Sequence, residues 1–211
     1  MTNFEFVFSL FGLLLGFSLA EVIAGFGRAV EAKIKRPRFA PVAGEDGAGE
    51  GEDEAEAPPP VPRIGWLTPL LGLFVIFNLL SFWTAAWALR DQIPVLYLPM
   101  LFGLLVTGGY YFAAAMVFPR AIGEGTDLDD HYFAVKRWVV AVVTGCNLLG
   151  TAGTALTADP FAVTGAAVTN LFFYALLVAL FFARGRLVNL ILLVAAAAAY
   201  PMTAVLAAVT W

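Results

Sequence analysis

The sequence predicts an all-α fold, a bundle of six transmembrane helices with both termini outside the cytoplasm. Three observations carry this. Apolar residues make up 61% of the 211-residue chain and charged residues only 13%, against roughly 45–50% and about 25% in an ordinary soluble domain. The charges cluster and leave uncharged runs at 64–89, 92–119, 138–158, 160–183 and 187–211. Each run exceeds about 18 residues, and about 20 helical residues cross a hydrocarbon core of about 30 Å. A sixth segment, 6–27, is interrupted only by Glu21. Segments in lipid must satisfy their own backbone groups, as helices or as a closed barrel. Barrel strands alternate apolar and polar residues, whereas these runs are apolar on every face.

The third observation is where the basic residues fall. Arg28, Lys33, Lys35, Arg36, Arg38 and Arg63 belong to the first loop, Arg120, Lys136 and Arg137 to the third, and Arg184 and Arg186 to the fifth. These are eleven of the twelve basic residues; only Arg90 falls on the other side. The positive-inside rule then places the eleven in the cytoplasm and both termini outside it. An error of one helix would scramble the asymmetry, so it supports the count as well as the orientation. Trp66 and Trp138 mark inner boundaries, and Trp87, Tyr97 and Trp211 outer ones, the level that amphipathic rings favour.

The elements follow in order, as a single membrane domain over 1–211. Helix one covers about 4–28. It lacks the basic start of a cleavable signal peptide, because residues 1–27 contain no Lys or Arg. Residues 39–62 form a Gly, Ala, Glu and Pro segment carrying Glu45, Asp46, Glu50, Glu52, Asp53, Glu54 and Glu56 without a base. Such a stretch has little to bury and repels itself, so it reads as a disordered cytoplasmic linker. It also accounts for the net charge of −4, which therefore says nothing about nucleic acid. Helix two covers about 64–89 and a short turn at 90–94 makes helix three, about 95–118, its antiparallel neighbour. Thr126 and Asp129 fit a capping box. With Asp127 and Asp130 in the positive first turn, residues 126–137 read as a short interfacial helix or as the extended start of helix four. Helix four then runs over about 138–157, helix five over about 162–183 and helix six over about 187–210. Asp159-Pro160 and Arg184-Gly185-Arg186 supply tight connections, and Pro201 is expected to kink helix six.

Glu21 is the one ionisable residue deep within a predicted span. A carboxylate at mid-membrane costs roughly 2.5–3.5 kcal/mol on insertion scales, so it calls for a partner or a task. With Ser18 on the same face it is a candidate proton or cation site, or else a polar tie between helices, to Asn78 or Asn147. Asn78, Asn147, Asn170 and Asn189 fall in helices two, four, five and six, and asparagines in spans commonly bond across helices. With Glu21 they are candidates to line a polar path. Gly12, Gly16, Ala20 and Ala24 recur every four residues on helix one, a stripe that lets helices approach closely. The approach is expected within the bundle or at a dimer or partner contact. Ala141, Gly145 and Gly153 suggest a similar row on helix four.

Other chemistry is thin. Glu124, Asp127, Asp130 and His131 have a metal-like mixture, but helix N-terminal acids beside an interfacial histidine explain them, so no metal is expected. Thr107-Gly108-Gly109-Tyr110-Tyr111 faintly echoes a potassium filter yet lies inside a long apolar run. His131 is the only histidine and Cys146 the only cysteine. A bis-histidine haem and an internal disulfide within one chain are therefore excluded. No Walker, Rossmann, HExxH or GxSxG pattern and no nucleophile–base pair is present, so neither an enzyme nor a cofactor is expected.

The stretch Leu15-Gly16-Phe17-Ser18-Leu19-Ala20-Glu21, through Gly25-Phe26-Gly27-Arg28, resembles the opening of small uncharacterised bacterial multi-pass membrane proteins. Tyr110-Tyr111 through Phe118-Pro119, an acidic segment and Lys136-Arg137-Trp138 are similar to the same group. The resemblance implies a bacterial inner membrane and no activity. The expected role is non-enzymatic: an accessory or scaffold subunit or a homo-oligomer, acting through helix packing in the lipid bilayer. The competing expectation is a small channel or proton-coupled transporter using Glu21.

Overall fold

A computed structural model describes residues 3–34, 65–88, 96–123, 125–157 and 160–209, and the side chains of these except 3–7, 153–157, 160–169 and 202–209. The linker 39–62, the turn 90–94, Glu124 and Asp159 lie outside the described residues, as does Trp211. Among the described residues the chain is all-helical: α1 (Asn3–Ile34), α2 (Leu67–Ala88), α3 (Tyr97–Val117), α4 (Leu128–Thr157), α5 (Pro160–Phe182) and α6 (Arg186–Val209). Four of them carry described stretches long and apolar enough to cross a membrane: Phe8–Ile34, Leu67–Ala88, Tyr97–Val117 and Leu128–Ala152. The chain is a helical membrane protein on that evidence.

Two helices are longer than expected. Residues 29–34 continue α1, where Lys33 lies in the last turn, the end at which the helix dipole favours a cation. Helix α4 runs unbroken from Leu128, so residues 128–137 are its first turns. Its cap differs from the expected box. Asp127, one residue after Thr126, accepts the Asp129 N–H at 2.8 Å through its side chain, and its carbonyl accepts the His131 N–H. Asp127 is therefore the N-cap. The Thr126 hydroxyl turns back to accept the Gly123 N–H, which leaves the Asp129 carboxylate available to a distant helix.

Helices α2, α4, α5 and α6 form a four-helix bundle in which each packs against its two neighbours around the ring. The helices α4 and α6 are diagonal to one another and do not touch backbone to backbone. Helix α3 packs across α4 and α2, and α1 lies outermost, against α3 and α2 alone. The core holds Leu71, Phe74 and Val75 of α2, Val106 and Tyr110 of α3, Val139 and Val143 of α4, Leu177 and Leu180 of α5, and Leu193 and Ala196 of α6. On α1 the buried line is Phe8, Leu15, Ser18, Val22, Gly25 and Ala29, close to the 3.5-residue repeat of a packed seam. Gly25 admits the Phe118 ring, which any β-carbon at that position would strike.

Candidate functional site

The polar residues of the bundle form two layers, and both bridge the α4–α6 diagonal. The first lies where α4 and α6 begin. Lys136 is 3% exposed, and its ammonium donates to Asn189 Oδ1 at 2.7 Å, to the Leu180 carbonyl at 3.3 Å and to the Ala183 carbonyl. The last two carbonyls belong to the C-terminal end of α5, where backbone acceptors lack intrahelical partners and a cation is favoured. Tyr132 donates its hydroxyl to the same Asn189 oxygen at 2.8 Å. The Asn189 amide nitrogen donates to the Gly185 carbonyl at 2.7 Å.

Asp129 completes this layer. Its carboxylate pairs with Arg186 at the start of α6 and accepts the Leu67 N–H at the start of α2, at 3.3 Å. One acid thus caps a helix 62 residues away in sequence. Gly65 is required beside it, because a β-carbon there would collide with the carboxylate. The Thr68 hydroxyl donates to the Leu128 carbonyl, and the His131 ring meets the Met116 carbonyl near the end of α3 at 3.2 Å. Five helices are therefore joined at one end of the molecule by side chains from the first three turns of α4.

The second layer lies eleven residues further along both helices, at Asn147 and Tyr200. Eleven residues are about three helical turns, or roughly 16 Å, so each helix presents both layers from one face. Tyr200 donates to Asn147 Oδ1 at 2.8 Å. Asn147 Nδ2 donates to Asn78 Oδ1 at 3.0 Å and to the Val143 carbonyl at 2.8 Å. Asn78 Nδ2 donates to the Phe74 carbonyl at 2.9 Å. The hydroxyls of Thr151 and Tyr174 lie 2.8 Å apart and tie α4 to α5. Between the layers the interior is apolar, filled by Phe74, Val139, Val143, Leu177 and Leu193.

The predicted site residues divide accordingly. Asn78 and Asn147 meet as expected of span asparagines. Asn170 is half-buried on α5 and makes no hydrogen bond to either. Ser18 is buried but donates to the Leu14 carbonyl of its own helix at 2.9 Å. Glu21 joins neither layer. It accepts from Arg28 at 3.3 Å on the outer helix α1, with 38% of its side chain exposed. Among the described residues Glu21 and the asparagines are not brought together, and α1 packs against α2 and α3.

The stripe is also redistributed. Gly12 faces α2, where a β-carbon would lie 2.7 Å from the Trp83 ring. Gly16 has open space around it, and Gly16, Ala20 and Ala24 are exposed. The reason is geometric: successive i+4 positions advance about 40° around a helix of 3.6 residues per turn. The row consequently walks off the buried seam onto the outer face. On α4 the expected row does not pack either, since Ala141 is exposed and Gly145 is open; the side-chain surroundings of Gly153 lie outside the described residues. The close contact at α4 is instead at Gly109 of α3, whose β-carbon would meet Cys146 Sγ at 2.6 Å.

No family model, curated protein or solved structure matches this chain.

Lys136, Asp129, Tyr132 and Arg186 were not singled out as site residues by sequence reasoning, which counted the lysine and arginine as loop charges. A signal was present. Asp129, Tyr132, Lys136, Val139, Val143 and Cys146 continue one seam at three- and four-residue spacing, and all are buried. Such spacing places Lys136 on the packed face of α4. Among the described residues, the one buried side-chain polar atom without a hydrogen-bond partner is Arg28 Nε. The arrangement of the two layers suits holding helices in register, since every amide oxygen and the ammonium are occupied by protein groups.

Proposed function

We propose that this chain is a non-enzymatic multi-pass protein of a bacterial inner membrane that acts through helix packing. It serves as an accessory or scaffold subunit or as a homo-oligomer, with α1 as its contact helix. In this reading all six helices span the bilayer, both termini face away from the cytoplasm, and the polar layer at Lys136 lies toward the cytoplasmic side.

One observation carries the proposal: the Glu21–Arg28 pair stands about a third exposed on the outer flank of α1, beside the small-residue face of Gly16, Ala20 and Ala24. Charged groups within a span almost always face a protein interior or a water-filled cavity, because lipid solvates them poorly. A pair left partly exposed on an outer flank is suited to being covered by another helix. Small residues adjoining it would let that helix come close. The channel or transporter reading has weaker support, because it needs Glu21 in the bundle interior and the carboxylate lies outside it.

Cross-linking in native membranes tests this. Cys146 is buried, so Ala20→Cys or Ala24→Cys in a Cys146→Ser background presents one accessible thiol. A product of twice the chain mass is expected for a homo-oligomer, and a product of another defined mass for an accessory subunit. No product at either position, together with proton flux in liposomes that Glu21→Gln abolishes, would overturn the proposal in favour of transport.

A further inference from the structure

The basic residues described at the Lys136 end differ in whether their charge is used within the chain. Lys136 is buried on α5 carbonyls and Asn189, and Arg186 is paired with Asp129. Arg137 and Arg184 are exposed, and among the described residues neither has a carboxylate partner. The Arg137 guanidinium lies 6.0 Å from the centre of the Phe181 ring. Its neighbour Lys136 reaches the carbonyl of Ala183, the residue before Arg184. Arg137 thus lies at the seam where α4 meets the end of α5, and Arg184 follows that end two residues on.

The surroundings suit a phosphate at the edge of a bilayer. Trp138 and Phe182, next to these residues in sequence, are 65% and 68% exposed, and aromatic rings gather at the headgroup level. The Phe181 face holds the Arg137 guanidinium by a cation–π contact. The end of a helix such as α5 normally repels an anion, but Lys136 occupies its last carbonyls. Guanidinium groups bind phosphate oxygens in a planar, two-pronged manner that ammonium groups do not match.

We infer that Arg137 and Arg184, framed by Trp138 and Phe182, form a docking site for the headgroup phosphate of an anionic phospholipid. The inference rests on the membrane reading and is independent of any contact made by α1. Basic edges between spans are a recurring means of holding anionic lipids.

Native mass spectrometry of the full chain, released from micelles doped with phosphatidylglycerol or with phosphatidylcholine, provides the test. Retained adducts are expected with phosphatidylglycerol and not with phosphatidylcholine. Each of Arg137→Gln and Arg184→Gln should weaken retention about fivefold, and the double variant about thirtyfold. Arg120→Gln, which removes an exposed charge elsewhere, should leave it unchanged. Melting in phosphatidylcholine checks that the variants fold, and Arg137→Lys with Arg184→Lys should recover part of the retention. Undiminished adducts in the double variant, equal loss in Arg120→Gln, or equal retention of phosphatidylcholine would overturn the inference. Competition by millimolar inorganic phosphate that matches the lipid would also overturn it, since the site would then recognise a free anion. Loss of α1 cross-linking would leave this result untouched, so the two proposals fail separately.

Discussion

Glu21 and Asp129 are both carboxylates paired with an arginine, yet they sit in opposite surroundings. Glu21 meets Arg28 seven residues along the same helix, and both side chains remain about a third exposed. Asp129 is buried, pairs with Arg186 on α6 and caps α2. The first pair is local, and forming it orders almost nothing beyond α1. The second closes contacts across about sixty residues of chain, so three helix starts depend on one side chain. A charge conspicuous in the sequence lies at the margin of the molecule, while one expected to serve the start of its own helix holds the bundle end together.

The largest expected break in this comparison is at the buried layer. Lys136→Ala should lower stability by about 3 kcal/mol, because Asn189 and the α5 carbonyls lose a charged donor within a buried site. Unfolding in mixed micelles with increasing denaturing detergent measures it. Lys136→Met, which keeps most of the stem volume, should cost less, and equal losses would mean that the donor rather than the packing of the stem dominates. Asp129→Asn should cost about 2 kcal/mol, since Arg186 loses its partner and the cap on Leu67 weakens. Hydrogen exchange should then rise at the start of α2 rather than within α1.

Smaller effects sharpen the contrast. Gly109→Ala is expected to cost about 1–2 kcal/mol, as a β-carbon there must displace Cys146 from a packed contact. A double-mutant cycle of Asn78→Ala and Asn147→Ala should give a coupling near 0.6 kcal/mol, and no more than about 1.7. The smallest effect belongs to Glu21→Gln, within about 0.5 kcal/mol for the isolated chain, because the pair is partly exposed and lies on one helix. A loss as large as that of Asp129→Asn would erase the distinction between the two carboxylates.

Much of the architecture was legible in the residues. Uncharged runs long enough to cross a bilayer marked the helices, and α4 begins about ten residues before the 138–157 read from its uncharged run, with Asp127 as its cap. That asparagines in apolar runs bond across helices was legible, since an amide there has few partners other than another polar span residue, but which of them meet was not. The site at Lys136 was not, because charge counts treat every lysine near a boundary as solvated.

By itself, the sequence determined the helical class and roughly where the apolar helices lie. Local physics decides these, because backbone groups and apolar runs settle them within a few turns. The tertiary structure alone decided which polar residues face one another. Lys136, Asn189 and the end of α5 meet only because α4 and α6 lie diagonally across a ring, leaving a gap that long polar side chains span. It also turned Gly16, Ala20 and Ala24 outward, since a four-residue row drifts around the helix while the packed seam follows its neighbours.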